Sequence, residues 1–146
     1  MEASEQAVRL RRGRRSDAPG VRGLLHADAN AARARFDRRT LASLAGDVYV
    51  AEAAGGAIVG IVSVAYLRSL SEGRFAAVLD AARAVADSAP LLDRLIAFAE
   101  ARARRRGCRR LAALVAPGDA ALRAALTSRG YGAGEVLVTE LDEGAA

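Results

Sequence analysis

The spacing of apolar and polar positions along the chain divides it into short segments of alternating period. Residues 7–12 alternate apolar with charged positions, Val8 and Leu10 against Arg9 and Arg11, which predicts a half-buried strand. Ser16 or Asp17 can then cap a helix whose first turn tolerates Pro19, and Val21, Leu24 and Leu25 form its apolar stripe. A second helix is predicted over residues 37–44, with Leu41 and Leu44 facing inward and Gly46 as its stop. Residues 47–52 are β-branched and aromatic, and residues 57–67 return after Gly55-Gly56; the two runs predict an antiparallel hairpin. Residues 90–106 carry Leu91, Leu92, Leu95, Ile96, Phe98 and Ala99 at helical spacing. Arginines crowd the last turn, where they suit the helix dipole, and Gly107 ends the helix. A short strand over 109–115, a helix over 120–128 closed by Gly130, and an alternating strand over 135–141 complete the series. Residues 74–87 are ambiguous, though their Ala, Leu and Arg content favours a helix by local propensity.

The chain has 146 residues, enough for one domain with one core, and no internal repeat or Ser/Pro linker divides it. Residues 1–6 and 143–146 are expected to fray. Hydrophobic residues make up 52%, much of it alanine, so the core must rest on Leu, Val, Ile and three Phe. No apolar run is long enough to span a bilayer, and the first residues lack the apolar stretch of a secretory signal, so a cytoplasmic protein without a membrane partner is expected. A single cysteine, Cys108, excludes an intrachain disulfide, and no His or Cys stands at motif spacing from it, so no metal is expected.

The net charge is +5 and the pI near 10.5. Every basic side chain is arginine, a bias of composition that weakens charge as a functional signal. Even so, +5 favours anionic partners such as a phosphate, an acidic protein face or nucleic acid. Two arginine clusters, residues 9–15 and 102–110, read either as anion sites or as a solvated strand edge and helix end. Aromatic residues are 4% with no Trp, which argues against a base-stacking platform and makes nucleic acid an unfavoured partner.

Four stretches, taken in order, resemble the GNAT N-acetyltransferase family over nearly the whole chain. VRLRRGRRSDAPGVRGLL is similar to that family's first strand and helix, and VYVAEAAGGAIVGIVSV to its second and third strands. AFAEARARRRGCRRLAALV resembles its central helix and fifth strand, and ALTSRGYGAGEV its closing helix and Gly-Phe corner, with Gly130-Tyr131 in those places. The resemblance implies an α/β fold with a mixed, mostly antiparallel sheet of about six strands and about four helices. It also requires a strand over residues 75–82. The implied activity is acyl transfer from acetyl-CoA or another acyl-CoA to a primary amine, on a small molecule or a protein. Homodimers are common in the family.

The family's pyrophosphate loop reads R/Q-x-x-G-x-G/A, and its glycines let backbone N–H groups approach the phosphates at a helix start. Aligned on Leu95-Ile96, that loop falls on residues 87–92, where Asp87 stands for the usual cation, Pro90 and Leu92 stand for the two glycines, and Pro90 removes a donor. The resemblance carries the cofactor contacts onto Ala82, Arg83, Asp87, Ser88, Ala89, Leu91, Leu92 and Arg94, with the two arginines supplying charge the glycine amides do not. It implies a carboxylate base on or near the fourth strand: Asp80 first, Glu72 second, the ordinary alternative being a solvated carboxylate. His26, the only histidine, lies on the first helix, near where the family binds acceptors; its ordinary reading is a surface helical side chain. Leu126 occupies the place of a tyrosine that protonates the leaving thiolate in many members. Cys108 reads as a small buried hydrophobe. Three functions stay open: the acyltransferase, a lapsed GNAT-fold domain that binds a partner or ligand, and, behind both, a small basic nucleic-acid binder.

Overall fold

The computed structural model describes residues 7–141. Strand β1 (Arg9–Arg12) is followed by a 3-10 turn (Arg15–Asp17), helix α1 (Ala18–Leu25) and helix α2 (Ala31–Ala42). Strands β2 (Asp47–Glu52), β3 (Ile58–Ser69) and β4 (Arg74–Ala84) come next, then a second 3-10 turn (Val85–Asp87), helix α3 (Ala89–Arg105), strand β5 (Leu111–Ala113) and helix α4 (Ala120–Ser128). The five strands form one sheet in chain order, antiparallel except for the parallel β4–β5 pair.

Alternation along the strands sorts side chains onto two faces. Val48, Val50 and Ile61 pack with Val21 of α1 and Leu41 of α2. Ala51, Val62, Val64 and Leu79 pack on the other face, with Leu92, Leu95, Ile96 and Ala99 of α3 and Leu122 and Leu126 of α4. Gly60 lets α3 approach closely: a Cβ there would lie 3.1 Å from the Ala51 Cβ and 3.2 Å from Leu95 Cδ1. Gly56 turns the β2–β3 hairpin with φ +90°, the positive value that favours glycine.

Residues 74–84 resolve as the strand that the resemblance requires and not as the helix their composition favours, because pairing with β3 from Ser69↔Arg74 to Gly60↔Ala84 satisfies the backbone and overrides local propensity. Two sequence expectations change. Helix α2 starts before residue 37: the Asn30 side chain accepts the Arg33 N–H at 2.8 Å, and the first turns are Ala and Arg with no apolar stripe to reveal them. That helix ends at Ala42, so Leu44 lies beyond it and is 72% exposed instead of facing inward. Residues 135–141 form no strand, so among the described residues the sheet has five strands and not six, and Val136, Leu137, Val138 and Leu141 stand exposed. The frayed ends expected at 1–6 and 143–146 lie outside the described residues. Among the described residues, no helix is long and apolar enough to cross a membrane.

Candidate active site

Strand β4 has two different flanks. On one, it pairs with β3 along its whole length. On the other, it pairs with β5 only at Ala77↔Leu111, Val78↔Ala112 and Leu79↔Ala113, and the Leu114 N–H closes the ladder on the Leu79 carbonyl at 3.0 Å. Residues 80–84 therefore run on with no strand partner on the β5 side among the described residues. Where the pairing stops, β4 bulges: Leu79 faces Val64 and Ala81 faces Ser63, which leaves Asp80 as the extra residue. The bulge changes the phase of the strand. Ala77 and Leu79 are buried before it, Ala82 and Ala84 after it, and Asp80 is turned out to solvent. A one-sided open strand edge beginning at an exposed carboxylate is the local result.

The corner between β4 and α3 is strained. Ala86 and Asp87 both have positive φ, 53° and 51°, a region that costs a non-glycine residue on the order of 1 kcal/mol. Ser88 caps α3, and its hydroxyl accepts the Leu91 N–H at 3.4 Å. The Leu92 N–H is held by the Ser88 carbonyl at 2.9 Å, and Pro90 has no N–H. The helix start thus uses internally most of the donors that an anion would need. Leu91 and Leu92 are 9% and 2% exposed and Ala82 is buried, so the side chains of these three belong to the core and not to a ligand surface. Asp87 and Ala89 are exposed at the corner.

The flanking cations have their own acceptors. Arg83 Nη2 lies 3.9 Å from Asp119 Oδ2, a pair that bridges β4 and the start of α4, where Asp119 also caps Leu122. Arg94 donates to the Val8 carbonyl at 2.8 Å, tying α3 to the chain entering β1. Glu72 sits in the β3–β4 turn, 3.8 Å from Arg110 Nε, at the opposite end of β4 from the corner, so the two carboxylate candidates are not brought together. His26 is exposed and ends α1 in a left-handed conformation, φ 52°. Leu126 is buried in the core beneath α4.

Two further groups lie at the other end of α3. The Tyr131 hydroxyl donates to Glu100 Oε2 at 2.8 Å, and burial followed by that bond pushes its pKa well above the usual phenol value. Glu100 also receives Arg129, which lowers its pKa. Burial raises the Cys108 thiol, which keeps it an unreactive small side chain. A cavity of about 270 Å³ opens beside these residues, remote from the β4 edge.

The polar centre of the fold escaped sequence reading. Asp47, 1% exposed, opens β2. Its Oδ1 accepts from Arg12 at 2.9 Å, Arg102 at 3.1 Å and Arg106 at 3.4 Å, and its Oδ2 accepts the Tyr66 hydroxyl at 2.6 Å. Burial alone would raise its pKa; the bonds from Arg102, Tyr66 and Arg12 and the Arg102 charge outweigh burial and hold it at about 2. Arg12 and Arg102 also stack over Tyr49, at 5.0 and 5.6 Å from the ring centre. Arg11 makes a second such joint with Asp17 and Glu52. Much of the two arginine clusters is therefore internal counter-charge that fastens α1 and α3 to the sheet.

No family model matches the chain, and no curated protein does. Solved structures do share its fold. A transcriptional regulator from Bacillus halodurans superposes with a TM-score of 0.80 at 19% identity, over 92% of this chain and 99% of that one. A ribosomal-protein-alanine N-acetyltransferase from Brucella melitensis gives 0.74 at 19%, over 93% and 100%. An aminoglycoside N-acetyltransferase in complex with CoA gives 0.75 at 15%, over 92% and 94%. The mixed five-stranded sheet with four helices is the fold of these N-acetyltransferases.

Proposed function

We propose that this GNAT-fold chain is an acyl-CoA-dependent N-acyltransferase in which the open flank of β4 holds the carrier and the phosphate clamp is weak. The observation that carries this reading is the unpaired β5-side edge at residues 80–84, which begins at the Asp80 bulge and ends at the start of α3. An acyl-CoA arm is an extended chain with amide groups, and an open strand edge offers the N–H and C=O groups that pair with such a chain. The thioester carbonyl then lies along β4. A neutral amine attacks that carbon; the C–N bond forms, the C–S bond breaks, and the thiolate takes up a proton while the nitrogen loses one. Asp80 is the carboxylate placed at the edge to receive the amine proton, directly or through water. Leu126 donates none, so the leaving thiolate is protonated by solvent.

Acyl-CoA fits the strand edge better than the corner. Ser88, Pro90 and Leu92 leave few amides free, and Asp87 opposes an anion. The same features support a second reading, a domain that keeps the fold and binds without turnover. A net charge of +5 favours a neutral or anionic amine acceptor, small molecule or protein, over a polycation.

Calorimetry with acetyl-CoA and with S-acetylpantetheine, which lacks the diphosphate, tests the proposal. Strand-edge binding predicts affinities within about tenfold of each other, since a single charged bond, worth about 1.5–3 kcal/mol, already exceeds that limit and this reading assigns none to the diphosphate. Absence of binding by both at millimolar concentration refutes it. Binding without thiol release in the presence of amines selects the second reading.

A further inference from the structure

Many arginines of the fold have a carboxylate or carbonyl partner. Arg11, Arg12, Arg22, Arg33, Arg102, Arg106 and Arg129 each reach an aspartate or glutamate. Ten of the 22 arginines reach neither a carboxylate nor a carbonyl among the described residues, and four of those ten converge. Arg15 of the first 3-10 turn and Arg35, Arg38 and Arg39 of α2 line a cavity of about 240 Å³. None of the four makes an ion pair or a side-chain hydrogen bond among the described residues, and all are exposed.

The convergence is a consequence of the fold. Arg35, Arg38 and Arg39 stand at i, i+3 and i+4, so they share one side of α2. The turn carrying Arg15 follows β1, the edge strand opposite β5, and packs on that helix. The acidic residue of α2, Asp37, is buried and engaged by Arg22 and Arg33, so it offers these four no counter-charge. Like charges at this spacing oppose helix formation, and an anion between them would relieve the repulsion.

We propose that this cavity binds a small phosphate-bearing anion at a site separate from the β4 edge. Guanidinium forks match phosphate oxygens in pairs, and several forks around one cavity select a group with at least two negative charges. The volume falls below the roughly 300–1,000 Å³ usual for drug-sized ligands, which suits a phosphoryl or diphosphoryl group. No ring lines the cavity, which separates it from a stacking surface for nucleic acid.

Inorganic pyrophosphate is the probe, titrated calorimetrically in about 0.15 M salt, where exposed charge is screened beyond ~8 Å. One site is expected. Arg35→Gln with Arg38→Gln should weaken it at least tenfold, or about 1.4 kcal/mol. Arg105→Gln with Arg123→Gln, equal in charge change and placed elsewhere, should stay within about twofold. Arg35→Lys keeps charge, loses the fork, and should weaken binding severalfold, which preserves the test if the double variant does not fold. Acetyl-CoA affinity should be the same in the Arg35/Arg38 variant, so failure here and failure of the β4-edge reading are separable. No pyrophosphate binding by the unmodified protein, equal weakening by both double variants, or tighter, Arg35-dependent binding of a single-stranded oligonucleotide would overturn the assignment.

Discussion

Replacing Asp47 by asparagine tests whether the buried carboxylate fastens α3 to the sheet. The substitution keeps the shape and one acceptor oxygen and removes the charge that Arg12, Arg102 and Arg106 share. Breaking a buried pair costs about 3–5 kcal/mol, and the three arginine side chains, still a quarter to a third exposed (24–31%), recover part of that from water. A loss of about 3 kcal/mol follows, which for a domain of this size lowers Tm by roughly 6–12 °C.

The acid limb expresses the same ion pairs as a pH dependence. The native pKa is held at about 2 against an ordinary 3.8, so the carboxylate's contribution is fully present above the unfolded value and is lost as pH falls from about 4 through 2. A displacement of that size corresponds to about 2 kcal/mol, somewhat below the figure reached from the ion pairs. Asp17, Glu52 and Glu100 also have lowered pKa values and weaken both proteins in acid. The difference between the unmodified protein and the Asp47→Asn variant isolates the one group: large at pH 7, it should shrink steadily as pH falls from about 4 through 2, where half of the native carboxyl is protonated and resembles the amide. Urea unfolding by circular dichroism across pH 2–7 measures it. A gap below about 1 kcal/mol at neutral pH, or one that does not change with pH, would refute the reasoning.

Other outcomes follow from the same geometry. Asp80→Asn should lower kcat by about 10²-fold or more with acetyl-CoA affinity and Tm unchanged, as expected for a group that only moves a proton; an unchanged rate removes Asp80 from the chemistry. Asp87→Arg at the exposed corner should tighten CoA by about tenfold and leave S-acetylpantetheine unaffected, and equal effects on both would place the diphosphate elsewhere. Ala86→Gly should stabilise by about 0.5 kcal/mol, the relief of positive φ less the entropy of glycine, and a fall in Tm would count against the strained turn. Gly60→Ala should destabilise by about 1–2 kcal/mol in urea, because its Cβ meets Ala51 and Leu95; full stability would mean that α3 moves aside freely.

The uneven legibility of this chain has a physical cause. Periodicity reports burial on one face, so the hairpin around Gly56 and the helices α3 and α4 could be read directly from Val50, Ile61, Leu95, Ile96 and Leu122. It fails where stability comes from elsewhere. Helix α2 begins on an asparagine cap and polar turns, without an apolar stripe. Strand β4 is rich in helix-forming alanines, with two arginines, and becomes a strand only because β3 is already there to pair with it. Asp47 opens a strand, where a polar residue reads as a boundary; its burial depends on Arg102 and Arg106, more than fifty positions away, folding back over it. The alternating run at 135–141 shows the converse, a strand pattern with no neighbour engaged along it. The candidate site depends on the same non-local facts. The β5-side flank of residues 80–84 is open because β5 stops at Ala113 while β4 continues to Ala84, and no property of either segment alone encodes that difference in length. Asp80 could be picked from sequence by its place in a family pattern, whereas the bulge that exposes it exists only in the pairing of two strands.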